Sequence, residues 1–154
     1  MATDTDILAV IAPHQLDENA VFAIDQFLMR GGTVVLATAP YTAEISGGQM
    51  QRRDWNSGLS DWLAHQQIEI GDALVLDKNS AAFPTPVSRQ SGDYEFSDVQ
   101  MLDYPYFLDL RAGGLHREHP ITGNLPQVTM AWASPITRTP GAGFAVTRLL
   151  TSSA

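Results

Sequence analysis

Apolar residues fall in two patterns over the first forty positions, a solid run and a helical spacing. Together they predict a strand, a helix and a second strand. Ile7 to Ala12 is continuously apolar and is closed by Pro13. Such a run predicts a strand buried on both faces, as parallel strands under helices are. Asp17 predicts the helix N-cap, because its carboxylate can accept from the free amides of the first turn. Leu16 and Val21 stand at the positions of a hydrophobic staple. Ala20, Val21, Ile24, Phe27 and Leu28 recur at helical spacing and form one wide apolar face. Arg30 suits the negative end of that helix and Gly31 its left-handed cap. Thr33 to Thr38 is the second strand, and two parallel strands joined through one helix make a right-handed crossover.

Beyond this unit the pattern loosens. Tyr41 to Asn56 is polar and predicts a long loop after a strand end. Ser57 to Gln67 predicts a helix capped by Asn56 or Ser57, with Leu59, Trp62 and Leu63 on one side. Ile68 to Ile70 suits a short strand or a turn, and Ala73 to Leu76 a third buried strand. Pro84 and Pro86 bar a central strand where they stand. Ser91-Gly92-Asp93 can turn a hairpin, so the region near 80–100 reads as an irregular hairpin insertion. Tyr104 to Leu110 is aromatic and β-prone, with Pro105 marking a strand start or an edge. Gln127 to Ala133 predicts a fourth strand, Thr137 to Gly143 a loop, and Phe144 to Thr151 one more strand. The whole of 1–154 reads as a single α/β domain.

Composition narrows the partners. The 154 residues carry a formal net charge of −8, which argues against nucleic acid or an anionic membrane surface as the main partner. The chain has no cysteine, which removes disulfides, thiolate catalysis and Cys-based metal sites. No apolar run approaches the roughly 20 residues needed to span a bilayer, and Met1 to Thr5 lacks the regions of a signal peptide.

Candidate chemistry is sparse. Ser46-Gly47-Gly48 offers amides to an anion with Arg52 and Arg53 nearby, yet matches neither a P-loop nor a dinucleotide fingerprint. Loops favour Gly and Ser in any case. His116 and His119 are three residues apart, but Gly113, Gly114 and Pro120 oppose a helix there. A third ligand, Asp109 or His14, has no positional warrant. No Ser lies in a nucleophile elbow. Asp54, Asp77, Asp103 and Asp109 are the best acidic candidates, and each suits a cap or turn. His65 reads as a boundary residue, and the aromatics of 104–110 as packing. The sequence thus offers no catalytic residue, no metal site and no cofactor.

Three stretches in order carry a resemblance. They are PHQLDENAVFAIDQFLMRGGTVVLATAP, SGLSDWLAHQQIEIGDALVLD, and YPYFLDLR followed by HPIT and ASPI. Over most of Asp6 to Ile136 the chain resembles gliding-motility GldG-type proteins, auxiliary parts of an ABC-type transport system. The resemblance implies a three-layer α/β/α sandwich with a mostly parallel sheet, flavodoxin-like or class I glutamine-amidotransferase-like. It carries that architecture without the amidotransferase reaction, which needs a cysteine. It also implies display on the extracytoplasmic (periplasmic) face of the inner membrane, anchored through segments outside this chain. The partners it implies are permease and ATPase subunits or other envelope proteins, with a small ligand or polysaccharide as further options.

In a parallel sheet, ligands bind at the carboxyl ends of strands. That rule selects Pro13 and His14 after the first strand, and Tyr41, Ser46, Gly47 and Gly48 after the second, as ligand-binding residues of a non-enzymatic accessory domain. The alternative, a hydrolase or carbohydrate-active enzyme, requires His14, Asp54 and either Asp77 or Asp109 to converge in a cleft. A structural spacer would instead show an exposed apolar patch.

Overall fold

The computed structural model describes residues 5–46, 49–92, 94–139 and 145–153. The chain packs as two compact units, Met1–Ala73 with Ser134–Gly143, and Leu74–Ala133 with Phe144–Ala154.

The first unit opens with β1 (Ile7–Ile11), α1 (Glu18–Met29) and β2 (Thr33–Ala37). β1 and β2 pair in parallel, Ile7 opposite Thr33 through Ile11 opposite Ala37. Asp17 caps α1, its Oδ1 accepting from the Ala20 amide at 2.8 Å. Gly31 ends it with φ +88°, a conformation that costs a residue with a Cβ but not glycine. The strands are buried on one face only. Leu8, Val10, Val34 and Leu36 pack against the core cluster of Ile24, Leu59 and Leu63, while Ile7 and Ile11 are 62% and 72% exposed. The expectation of burial on both faces fails because this sheet has two strands and a helix on one side.

Three short elements complete this unit. β3 (Tyr41–Ser46) and β4 (Gln49–Asp54) form an antiparallel hairpin where a long loop is expected. α2 (Ser60–His65) is shorter than the predicted helix. Asn56 and Ser57 accept from the amides of Gly58 and Leu59 instead of capping its first turn. Leu59 is fully buried beside Leu63 and Ile24. β5 (Ile68–Ile70) pairs antiparallel with β9 (Ile136–Arg138), a strand that the Thr-rich sequence there conceals.

The second unit is antiparallel. β6 (Ser80–Ser91), β7 (Tyr94–Leu110) and β8 (Val128–Ala131) form one sheet in that order. The hairpin is thus the body of this unit rather than an insertion. Pro84 and Pro86 lie on β6, an edge strand, as proline requires. Pro105 lies inside β7, where the register shifts: Ser80 faces Leu108, but Ala82 faces Asp103. Proline is tolerated there because the ladder is already broken. Phe83, Tyr104, Phe107 and Trp132 pack ring against ring, and Leu108, Leu110 and Leu115 form the core.

The three-layer α/β/α sandwich with a mostly parallel sheet does not form, and the flavodoxin-like or amidotransferase-like architecture goes with it. The described residues hold two helices and nine strands, and only β1–β2 is parallel. A parallel sheet needs further strands beside β1 and β2, and the predicted ones go elsewhere. Residues 73–76 form no strand. The Val75 amide is taken by the Ala133 carbonyl, and the amide of neighbouring Asp77 by that of Pro105. In the predicted last strand, Leu150 makes a lone bridge to Leu115.

Candidate functional site

The site grows from the carboxyl ends of β1 and β2. β1 leaves the sheet through Ala12, at φ +45°, into Pro13, which is buried. The indole N–H of Trp55 donates to the Pro13 carbonyl at 2.7 Å, and the Trp55 amide donates to the Pro40 carbonyl at 2.8 Å. One tryptophan therefore ties together the exits of both strands. The amides of Gln15 and Leu16 donate to the carbonyls of Asn56 and Ser57. Gly58, at φ +80°, lies so close that a Cβ there would meet the Leu16 carbonyl oxygen at 2.4 Å.

Beneath Trp55 lies a cavity of about 390 Å³, bounded by Thr38 and Pro40 after β2, by Ser57 and Ser60, and by Gln67 after α2. Its polar lining is mostly hydroxyl and amide, with Glu69 as its carboxylate. Two buried side-chain atoms on this lining, Thr38 Oγ1 and Gln67 Oε1, have no hydrogen-bond partner among the described residues. A buried polar atom without a partner costs about 1–3 kcal/mol. Gln67 also sits at φ +60°, its amide donating to Ala64 and its carbonyl accepting from Thr139. A glutamine held in that conformation is strained.

The described sequence-selected residues are not part of this cavity's lining. Pro13 and His14 flank Trp55, with the His14 and Trp55 rings 4.4 Å apart. Tyr41 is buried under the guanidinium of Arg52, 4.8 Å from its ring centre, and Ser134 Oγ donates to its hydroxyl at 3.1 Å. Ser46 ends β3, while Gly47 and Gly48 lie outside the described residues. The two arginines expected near an anion are engaged by acids, Arg52 by Asp72 and Asp54 and Arg53 by Glu44. Thr38, Trp55 and Gln67 escaped sequence reading. Thr38 closes a predicted strand, Trp55 sits in a polar stretch, and Gln67 gains its place only from its backbone conformation.

The carboxylates of the enzyme alternative stand in other settings. Asp54 is exposed beside Arg52. Asp77 and Asp109 border a second cavity, of about 280 Å³, in the second unit. Burial pushes the Asp77 carboxyl up. Hydrogen bonds from the Ser153 hydroxyl, the Ser153 amide and the Asn79 amide, with the charge of Lys78, outweigh it and hold the group below its ordinary value. The two donors from Ser153 tie this carboxylate to the C-terminal segment. Asp109 accepts from Arg111, whose guanidinium is raised by that bond. The rings of His116 and His119 lie 6.1 Å apart, and Nδ1 of His119 accepts from the Ile121 amide. Among the described residues no three metal-ligating side chains converge, and no helix is long and apolar enough to cross a membrane.

No curated protein and no solved structure matches the chain. A family model does, over residues 1–154, and its description is "ABC-type uncharacterized transport system". The chain belongs to that family and is an auxiliary domain of an ABC-type transport system.

Proposed function

We propose that the domain serves its transport system without catalysis, by holding a neutral, hydroxyl-bearing ligand of the saccharide class in the cavity beneath Trp55. The observation that carries the reading is the pair of unpartnered polar atoms, Thr38 Oγ1 and Gln67 Oε1, on one lining. Both oxygens can accept from a hydroxyl donor. Hydroxyls, an amide and an indole suit sugars, which offer many weak donors and apolar ring faces. An anionic ligand is disfavoured, since the lining includes the Glu69 carboxylate and, among the described residues, no lysine or arginine. The proposal places the domain on the extracytoplasmic face, in a setting like that of the gliding-motility proteins.

Calorimetric titration with a panel of neutral, acidic and basic oligosaccharides tests it. Binding of a neutral sugar, lost in both Thr38→Val and Gln67→Leu with the fold intact, is the expected result. Release of new reducing ends from any panel member would return the enzyme reading. Binding that both variants leave unchanged would remove the ligand from this cavity.

A further inference from the structure

The second unit carries an open strand edge whose chemistry is specific. β7 pairs with β6 from Tyr94 to Asp103 and again at Leu108, but with β8 only from Phe107 to Leu110. Between Glu95 and Asp103 its other side meets no strand among the described residues. The prolines of β6 decide which backbone groups face that side. Pro84 is opposite Met101 and Pro86 is opposite Val99. Proline has no N–H, so these two pairs are of the non-hydrogen-bonded kind. The amides and carbonyls of Val99 and Met101 therefore point away from β6, toward the open edge. The Val99 amide is held there by the neighbouring Asp98 Oδ1 at 2.8 Å, a side chain standing where a strand would be. The far edge of β6 is blunted by the same two prolines.

Side chains of the same residues make one face, because they alternate along the strand. Glu95, Ser97, Val99, Met101 and Asp103 share it with Pro84 and Pro86. Val99 and Met101 are 61% and 59% exposed. The pattern is an acid, a serine, two apolar residues and an acid, on a strand whose outer side meets no strand among the described residues. We propose that this edge docks an extended segment of a partner protein as an added strand. Apolar residues of that segment lie beside Val99 and Met101, and a lysine or arginine faces each of Glu95 and Asp103. Added strands bind through the main chain and are selected by alternate side chains, which this edge supplies in order. A second copy of the chain fits less well, since the net charge of −8 and the acids at both ends of the stretch repel their like.

The probe is a nine-residue peptide, Lys-Thr-Val-Thr-Val-Thr-Val-Thr-Lys, with a Glu-flanked counterpart, titrated into the whole chain by NMR. The Lys-flanked peptide is expected to shift amides of residues 95–103 and to slow hydrogen exchange at Met101. The Glu-flanked peptide is expected to bind roughly three- to tenfold more weakly, as two exposed ion pairs allow. In Glu95→Lys/Asp103→Lys, which changes only exposed side chains, the preference should reverse. Met101→Lys gives a second reading if that variant fails to fold, and should weaken both peptides. Absence of binding, shifts outside residues 95–103, or an unchanged preference in the double variant would overturn the proposal. So would concentration-dependent dimerisation of the free chain with shifts at the same amides, which assigns the edge to a second copy.

Discussion

The Trp55 indole N–H donates to the carbonyl oxygen of Pro13 at 2.7 Å, across 42 positions of sequence. This bond, with that from the Trp55 amide to Pro40, fixes the exits of β1 and β2 against the 55–58 segment. Trp55→Phe keeps an aromatic ring, though a smaller one, and removes the donor, leaving a carbonyl of a buried residue short of its partner. A loss of about 1–2 kcal/mol follows. Urea unfolding should show a lower midpoint with the slope unchanged, and the amides of Gln15 and Leu16 should exchange faster.

Thr38 and Gln67 are predicted to trade stability against binding. Thr38→Val and Gln67→Leu replace unpartnered buried oxygens by apolar groups of similar size. Each should raise stability by about 1 kcal/mol, since the desolvation cost of the orphan atom disappears. Chemical denaturation checks this without any ligand. Unchanged or lower midpoints in both would mean that the oxygens find partners in solution.

Gly58 and Gly31 make a matched pair. Both have positive φ, but a Cβ at Gly58 would meet backbone at 2.4 Å, while one at Gly31 would meet nothing within 4 Å. Gly31→Ala should cost about 1–2 kcal/mol, the cost of the left-handed conformation alone. Gly58→Ala should cost clearly more, because the Leu16 backbone must also move. Parallel thermal melts of the two variants separate strain from collision.

Asp77 sets an acid limb of stability. Its folded carboxyl is held below the ordinary value of 3.8 by Ser153, Asn79 and Lys78 against the opposing effect of burial. As pH falls through the ordinary value, the unfolded chain protonates first, so the contribution, fully present at neutral pH, is lost toward the folded value. Asp77→Asn should be less stable near pH 7 and show a flatter decline below pH 4. Denaturant midpoints measured across that range check both. Ser153→Ala should shift the limb in the same direction, by less, because the Ser153 amide still donates to Asp77.

How much of this was legible in the chain depends on the range of the interactions. Asp17, Ile24 and Gly31 act within one helix, and their roles follow from spacing and capping rules. The β1–α1–β2 unit was legible for that reason. Ile7 and Ile11 were not. A solid apolar run cannot report whether its second face has a cover, and here it has none. The polar run of β3 and β4 showed no apolar alternation, so its pairing was hidden until the strands met. Pro13 and His14 follow the first strand, as its closing proline implies, but Thr38, Trp55 and Gln67, which line the cavity, come from three separate segments.

By itself, the sequence determined the local elements at the start of the chain, the edge position that Pro84 and Pro86 demand, and membership of a transport family. Tertiary structure alone decided that the remaining strands pair antiparallel and in small groups. Such pairing is chosen by which backbone groups find partners across long separations, as when Asp77 binds Ser153 rather than anchoring a third parallel strand. It also decided the cavity, because Thr38 and Gln67 become unpartnered only once their neighbours have been placed around them.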